Sequence, residues 1–275
     1  MSERTGIEPG QSSSNPRPLE GARILIARPE GQATPMAHAL SQLGASCHLL
    51  PAITITATEL SPPLKNQILN IDHYARVIVV SAHAAEYGLT LLDQYWPQWP
   101  VDIEWFAIGQ KTARLLANAG ITAQVAASGI DSEALLSLPC LQAPLEGKTL
   151  IWRGSEGRET LRDTLIQLGS EVEYASLYQR SIPEYSAQAI YKALDDFNPD
   201  LIVALSGETL HNLLQLSHNN PASLIRHTVL VPGERVASLA RSLGFAQAIY
   251  PQAMDEESIN QAIVSYYQQQ KTIIL

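Results

Sequence analysis

The chain has few of the features that mark membrane, secreted or nucleic-acid-binding proteins. Two of its 275 residues are cysteines, Cys47 and Cys140, which have neither the spacing of a metal site nor the density of a disulfide scaffold. No apolar run approaches the roughly 18 residues of a membrane span, and the N-terminus has no apolar segment typical of a secretion signal. The net charge of -9 argues against nucleic-acid binding, which requires a basic face. We therefore expect a cytoplasmic protein with reduced thiols and with no membrane or nucleic-acid partner.

Motifs for bound cofactors are also missing. No GxGxxG follows a strand-like run, and the sequence has no Walker loop and no nucleophile elbow. The histidines have no metal-ligand spacing, and the clustered acidic residues of a phosphoryl-transfer receiver are absent. We expect a protein without a cofactor or a metal.

Six apolar runs dominate the pattern, each followed by a turn and then by a helical periodicity. They are rich in Val and Ile, as is typical of parallel strands that are covered by helices on both faces. The runs are 24–28, 77–81, 105–109, 149–154, 200–206 and 228–233, and shorter extended stretches occupy 48–56 and 172–183. The alternation predicts an α/β fold.

The six runs form two sets of three in the same order, which indicates an internal duplication. Arg28 and Ser81 are 53 residues apart, and so are Arg153 and Ser206. The third block repeats its own glycine spacing, at Gly109 and Gly120 and again at Gly233 and Gly244. We predict two similar parallel-sheet domains that face a cleft, where ligand sites preferentially form. Residues 1–20, rich in Ser, Pro and Gly, are predicted to be a disordered leader.

Candidate binding residues follow the strands, because open parallel sheets bind ligands at their carboxyl edge. These residues are small, hydroxylic or basic, and each turn precedes a helix whose first N–H groups are unpaired. The candidates are Arg28, Ser81, Lys111, Thr112, Arg153, Gly154, Gly157, Arg158, Ser206 and Arg235. They predict an anion site built largely from backbone, which needs little positive charge. The alternatives are helix capping for the two serines and a solvated surface for the arginines.

The ordered set of motifs resembles the uroporphyrinogen-III synthase family. It comprises Arg-Pro after the first strand, Val-Ile-Val-Val-Ser, Ile-Gly-x-x-Thr-Ala, Arg-Gly-x-x-Gly-Arg, Leu-Tyr-Gln-Arg and a Ser-Gly turn. The most diagnostic segment is 153–180, RGSEGRETLRDTLIQLGSEVEYASLYQR, and the resemblance extends from about residue 21 to 265. It implies two domains joined by a two-stranded linker. Residues 21–51 would fold with 182–275, and residues 52–181 would form the second domain.

The resemblance also implies a reaction. The family's substrate is hydroxymethylbilane, a linear tetrapyrrole with eight carboxylates, which loses water, passes through a spiro intermediate and closes with ring D inverted. Without an enzyme the bilane closes to the symmetric type I ring. Tyr178 matches the tyrosine that the family places in its cleft, and a phenol, protonated at neutral pH, can act as a general acid. Arg153 and Arg158 would hold substrate carboxylates.

Three further expectations concern partners and alternatives. We expect a monomer with a transient contact to the enzyme that supplies the bilane. The competing hypothesis is a non-catalytic, two-domain binder of a small anionic ligand, which would share the fold and the backbone-rich site but would not require Tyr178.

Overall fold

The computed structural model describes residues 17–127, 129 and 131–274. Residues 1–16 of the predicted leader lie outside the described residues. Leu19, at the end of that predicted segment, is fully buried, and its N–H donates to the carbonyl of Leu43 at 3.0 Å. Leu19 is therefore part of the folded core and not of a disordered leader.

Two compact units make up the folded chain. The discontinuous unit combines the chain up to Thr54 with the chain from Ile182 onward, and the continuous unit is Ile55–Ser181. The sequence placed these boundaries after residues 51 and 181.

Short strands alternate with helices along the described chain. The strands are β1 Arg23–Ile26, β2 Ser46–Leu49, β3 Thr54–Ala57, β4 Arg76–Val79, β5 Glu104–Ala107, β6 Ala123–Gln124, β7 Lys148–Gly154, β8 Glu171–Ser181, β9 Leu201–Val203, β10 Thr228–Leu230 and β11 Gln247–Ile249. The helices are α1 Glu30–Gln42, α2 Pro62–Leu69, α3 Ala82–Tyr95, α4 Gln110–Asn118, α5 Ser132–Leu136, α6 Thr160–Gln167, α7 Ala187–Tyr191, α8 Gly207–Leu216, α9 Pro221–Ile225, α10 Glu234–Ser242 and α11 Glu256–Ile274. A π-helical turn, Lys192–Asp196, follows α7.

The two sheets repeat one strand order. The discontinuous unit has the order β11-β10-β9-β1-β2, and the continuous unit has the order β6-β5-β4-β7-β8 with β3 added beside β8. Apart from the edge strands β6 and β11, this is the correspondence that the sequence blocks predict. The pairings of β1, β4, β5, β7, β9 and β10 with their neighbours are parallel. The prediction of two similar parallel-sheet α/β units is confirmed. The sequence missed β6 and β11, which are edge strands of two and three residues.

Burial on both faces explains the Val- and Ile-rich central strands. In β1, Ile24 and Ile26 pack into one core with Leu40, whereas Leu25 packs into another with Leu210. Alternate side chains of a strand point to opposite faces, so each sheet needs a layer of helices on both sides.

The strand order positions a binding edge in each unit. In the continuous unit, the chain runs from β7 to its neighbour β8 on one side and from β4 to its neighbour β5 on the other. Where the connections from two adjacent strands run in opposite directions, a crevice opens at the carboxyl ends of those strands. Ser81 follows β4 at this crevice, and Gly154 ends β7. In the discontinuous unit the equivalent strands are β1 and β9, which lead to Arg28 and Ser206.

Candidate active site

A pocket of about 200 Å³ lies at the carboxyl end of β7 in the continuous unit. It gathers residues from β7, from the glycine-containing turn that follows it and from β8. Five of the predicted site residues line it, namely Arg153, Gly154, Gly157, Arg158 and Tyr178. The glycine-containing turn therefore forms one wall of this pocket.

A β-bulge turns Tyr178 toward the core that contains Leu177. Arg153 pairs with Ser176 and Gly154 pairs with Tyr178, so Leu177 is an extra residue in β8. Without a bulge, Tyr178 would share the face of Tyr174, because strand side chains alternate. Instead, Leu177 and Tyr178 both pack into one core, and Tyr174 packs against the other. Bulges beside active sites commonly re-aim a side chain in this way.

The hydroxyl of Tyr178 has a defined partner although its ring is buried. It lies 3.1 Å from Oγ of Ser81, and either oxygen could be the donor. The same Oγ accepts the N–H of Ala84 at 3.1 Å and so caps α3. The ring stacks against Tyr87 with centroids 6.2 Å apart and meets the edge of His83 at 5.9 Å. Ser81 thus both caps a helix and fixes the phenol.

Arg153 is buried, with 6% of its surface exposed, and it is held by several partners. Its Nη1 donates to Oε1 of Glu159 at 3.1 Å, and its Nε donates to the carbonyl of Gly154 at 3.2 Å. Its guanidinium lies 4.4 Å from the ring centroid of Tyr174. At Gly157, with φ +153°, a Cβ would come within 2.5 Å of the guanidinium, so only glycine lets the turn approach so closely.

Glu159 and Tyr174 extend this cluster. The hydroxyl of Tyr174 donates to Oε2 of Glu159 at 2.7 Å. This hydrogen bond, followed by the Arg153 guanidinium, lowers the pKa of Glu159. Burial, followed by the bond to Glu159, raises the pKa of Tyr174 to about 12. At neutral pH the cluster therefore holds a carboxylate, a guanidinium and a protonated phenol.

Arg158 lines the pocket from an exposed position, and two other predicted residues of this unit lie outside the pocket. Arg158 is 77% exposed at its side chain and lies 3.6 Å from Glu133. Lys111 is exposed in the first turn of α4, and Thr112 beside it is 3% exposed. Neither Lys111 nor Thr112 lines the pocket. The burial of Thr112 fits a core position better than a ligand contact.

The remaining predicted residues belong to the carboxyl edge of the discontinuous unit. Arg28 is half-buried, and its Nη2 donates to Oε1 of Gln32 at 2.7 Å. Burial lowers the pKa of Arg28. Ser206 caps α8 by accepting the N–H of Thr209 at 3.0 Å, and Arg235 is exposed at the start of α10. Helix capping by Ser81 and Ser206, the alternative considered from the sequence, is thus observed at both positions.

Sequence reasoning missed Glu159 and Tyr174 as members of the site. Tyr174 is four residues before Tyr178 in the same strand, and Glu159 directly follows the Arg153–Arg158 turn. Their closeness in sequence to Tyr178 and to the Arg153–Arg158 turn could have marked both residues as candidates. The sequence pattern did not show that the Glu159 and Tyr174 side chains would form a hydrogen bond with each other.

The described residues contain no group of three or more His, Cys, Asp or Glu side chains placed to hold a metal ion. Over the same part of the chain, no helix has the length and apolarity needed to cross a membrane. Both cysteines are free, and Cys140 is exposed.

Comparison with known proteins identifies the family. The family model described as uroporphyrinogen-III synthase HemD matches residues 34–261. The uroporphyrinogen-III synthase of Salmonella typhimurium is 31% identical over 243 residues, which cover 87% of this chain and 99% of that protein. The Escherichia coli enzyme of the same name is 30% identical over 245 residues, again covering 87% and 99%.

Solved structures support the fold. The chain aligns with a uroporphyrinogen III synthase from Thermus thermophilus at a TM-score of 0.62 and 16% identity, covering 92% of this chain and all of that one. A Helicobacter pylori uroporphyrinogen-III synthetase aligns at a TM-score of 0.55 and 13% identity, covering 89% and 99%. Because the family model spans most of the chain and the bacterial relatives match over nearly their whole length, the chain belongs to the uroporphyrinogen-III synthase family.

Proposed function

We propose that this chain, a cyclising lyase of tetrapyrrole biosynthesis, closes hydroxymethylbilane to uroporphyrinogen III through the pocket at the end of β7. The observation that carries the proposal is the pairing of the Tyr178 and Ser81 hydroxyls in the unit whose pocket contains Arg153. A proton donor and an anion-binding group are then available to one polyanionic substrate.

Tyr178 supplies the proton for the first step. The bond between the hydroxymethyl carbon and its oxygen breaks, the oxygen takes the phenol proton, and water leaves. Ser81 prepares Tyr178 for this step. Its Oγ accepts from Ala84, so its own hydrogen is free to point at the phenol oxygen. That arrangement directs the phenol hydrogen away from Ser81, and it stabilises the phenolate once the proton has gone.

The later steps depend on position more than on proton transfer. The substituted carbon of ring D must attack the electrophilic carbon that remains after water leaves, which forms the spiro intermediate. One bond of that intermediate then breaks, and the ring closes again with ring D reversed. Holding a reactive species in one geometry is the main contribution that a protein can make to such a sequence.

The substrate carboxylates are the groups by which this position is fixed. In the continuous unit, Arg153 and Arg158 supply charge, and the turn of Gly154 and Gly157 brings backbone close to the ligand. Lys111 and Thr112 are proposed as weaker contributors, and the burial of Thr112 limits its part. In the discontinuous unit, Arg28, Ser206 and Arg235 are the proposed anchors. We further propose that the protein acts as a cytoplasmic monomer, with a transient contact to the enzyme that supplies the bilane.

The product isomer tests this function. Purified protein is incubated with freshly generated hydroxymethylbilane, and the type I and type III rings are separated after oxidation. Formation of mostly type III supports the proposal. A ring that is only type I, at the rate seen without protein, supports the alternative of a non-catalytic anion binder.

A further inference from the structure

Three groups converge on the carboxylate of Glu159 beside the pocket, two through hydrogen bonds and one through an ion pair. They are Nη1 of Arg153 at 3.1 Å, the hydroxyl of Tyr174 at 2.7 Å and Nη1 of Arg162 at 3.6 Å. Both guanidinium groups also face the ring of Tyr174, at 4.4 Å and 5.7 Å from its centroid. We call Arg153, Arg162 and Tyr174 the carboxylate cradle.

The cradle has the chemistry of a carboxylate-binding site. Two guanidinium groups and one phenol can satisfy both oxygens of one carboxylate by charge-assisted hydrogen bonds. Arg153 and Tyr174 line the pocket. The site is also open to solvent, because about half of the side-chain surface of Glu159 and of Arg162 is exposed. A ligand can therefore reach the position that the Glu159 carboxylate occupies.

Glu159 does not serve the helix at whose start it lies. It is the N-cap residue of α6, yet its side chain accepts no capping hydrogen bond. N-cap side chains usually accept such a bond, and this one is turned to the cradle instead. It lies two residues after Gly157 in an exposed turn, and its carboxylate makes no capping hydrogen bond to the first turn of α6.

We propose that the carboxylate cradle binds an acetate or propionate group of the substrate, and that Glu159 occupies the cradle until the substrate displaces it. This inference rests on the proposed function, because it takes the ligand to be the polycarboxylate bilane. It adds Arg162 and Tyr174 to the binding residues.

The test compares Glu159→Gln with Glu156→Gln. Both substitutions remove one negative charge from the same turn, but only Glu159 contacts the cradle. Glu156 lines the pocket. Glu156→Gln therefore measures the effect of losing a charge from the pocket lining, without the release of a cradle contact. If Glu159 competes with substrate, Glu159→Gln lowers the KM for hydroxymethylbilane about two- to fivefold below that of Glu156→Gln, as expected for release of a partly exposed ion pair. A KM that is equal to that of Glu156→Gln, or higher, overturns the proposal and makes Glu159 a positioning residue for Arg153.

Two further variants test the cradle without relying only on Glu159→Gln in the wild-type protein. Arg162→Gln should raise KM about two- to fivefold, because the substrate loses one exposed charged partner. In the Arg153→Ala background, Glu159→Gln should lower KM by less than it does in the wild-type protein, because the two residues then no longer interact. An unchanged KM in Arg162→Gln, or full additivity of the double variant, contradicts the proposal. Wild-type protein that forms no type III ring would instead refute the proposed function itself, which separates the two failures.

Discussion

Gly154 lies directly against the ring of Tyr178. A Cβ at this position would come within 2.8 Å of Cε2 and 2.9 Å of Cζ of the phenol. Real Cβ contacts are not this short, so the ring keeps its place, and its hydroxyl keeps its bond to Ser81, only because residue 154 has no side chain. The glycine that ends β7 is thus a condition for the position of Tyr178.

Gly154→Ala tests that dependence. Overpacking of a buried position typically costs about 1–3 kcal/mol, and here the ring must shift to relieve the contact. We expect a lower free energy of unfolding and a lower kcat, because the hydroxyl moves away from Ser81. Gly31→Ala is the matched control, since a Cβ there meets nothing within 4 Å. Equal stability and equal kcat in the two variants would show that the contact between Gly154 and Tyr178 is unimportant.

Arg153 and Arg158 should differ in their effect on substrate binding. Arg153 is buried in the pocket, whereas Arg158 is mostly exposed. Hydrogen bonds from Arg153 to a substrate carboxylate are therefore less weakened by water than those from Arg158, and their loss costs more. Arg153→Ala should raise KM about tenfold and Arg158→Ala about two- to fivefold. In both variants KM should change more than kcat, because these contacts persist from the ground state to the transition state. Steady-state kinetics measure both constants. An unchanged KM in both variants would show that neither arginine binds substrate.

The bond between Tyr74 and Glu173 predicts a dependence of stability on pH. The Tyr74 hydroxyl donates to Oε2 of Glu173 at 2.7 Å and is the largest cause of that group's lowered pKa. A carboxyl whose folded pKa is lowered stabilises the protein above its ordinary pKa, and this contribution is lost as the pH falls through the lowered value. Tyr74→Phe should therefore lower the free energy of unfolding by about 1 kcal/mol at neutral pH and by less below pH 4. The value is small because the side chain of Glu173 is partly exposed to water.

Urea unfolding at several pH values measures this difference. Tyr266→Phe is the control, because the Tyr266 hydroxyl donates to Thr228 Oγ1 at 2.8 Å, a partner without charge. Its effect should not vary between pH 7 and pH 4. A cost of Tyr74→Phe that stays constant over the same range would contradict the assignment of the lowered pKa to this bond.

We expect the two units to bend about the segments near Ala52–Thr56 and Arg180–Pro183. The chain passes between the units after Thr54 and after Ser181, within these segments. Two thin crossings offer little resistance to a hinge motion. X-ray scattering profiles of the protein with and without uroporphyrinogen III should differ. Superimposable profiles would argue against bending on ligand binding.

The sheet architecture could be predicted from the sequence because of how the central strands are buried. Strands such as β4, in which Val77, Ile78 and Val79 are fully buried, produce short apolar runs, and such runs are visible without a structure. The duplicated order of those runs then predicted two similar parallel sheets, whereas the strand order within each sheet came from the structure. The edge strands β6 and β11 escaped notice because so few residues form them that no periodicity develops.

The arrangement of the site could be predicted only in part. Tyr178 was identified by resemblance, but its orientation depends on the bulge at Leu177, which the alternation of a strand conceals. Thr112 was predicted to bind substrate, but it lies four residues before the buried Leu116 and shares its helix face, which explains its burial in the core. The bond between Arg153 and Glu159 forms across a turn, where no periodic rule applies.

The isomer ratio and rate of Tyr178→Phe test most directly whether the pocket sets the geometry of ring closure while Tyr178 supplies the proton. The variant keeps the ring and its packing but loses the hydroxyl. General acid help is worth about 10²–10⁴-fold, and the bilane also closes unaided, so kcat should fall by about 10- to 100-fold. The residual enzymatic product should remain type III. Full activity would make Tyr178 a structural residue, and a slow variant that releases mainly type I would show that the hydroxyl positions ring D instead of donating the proton.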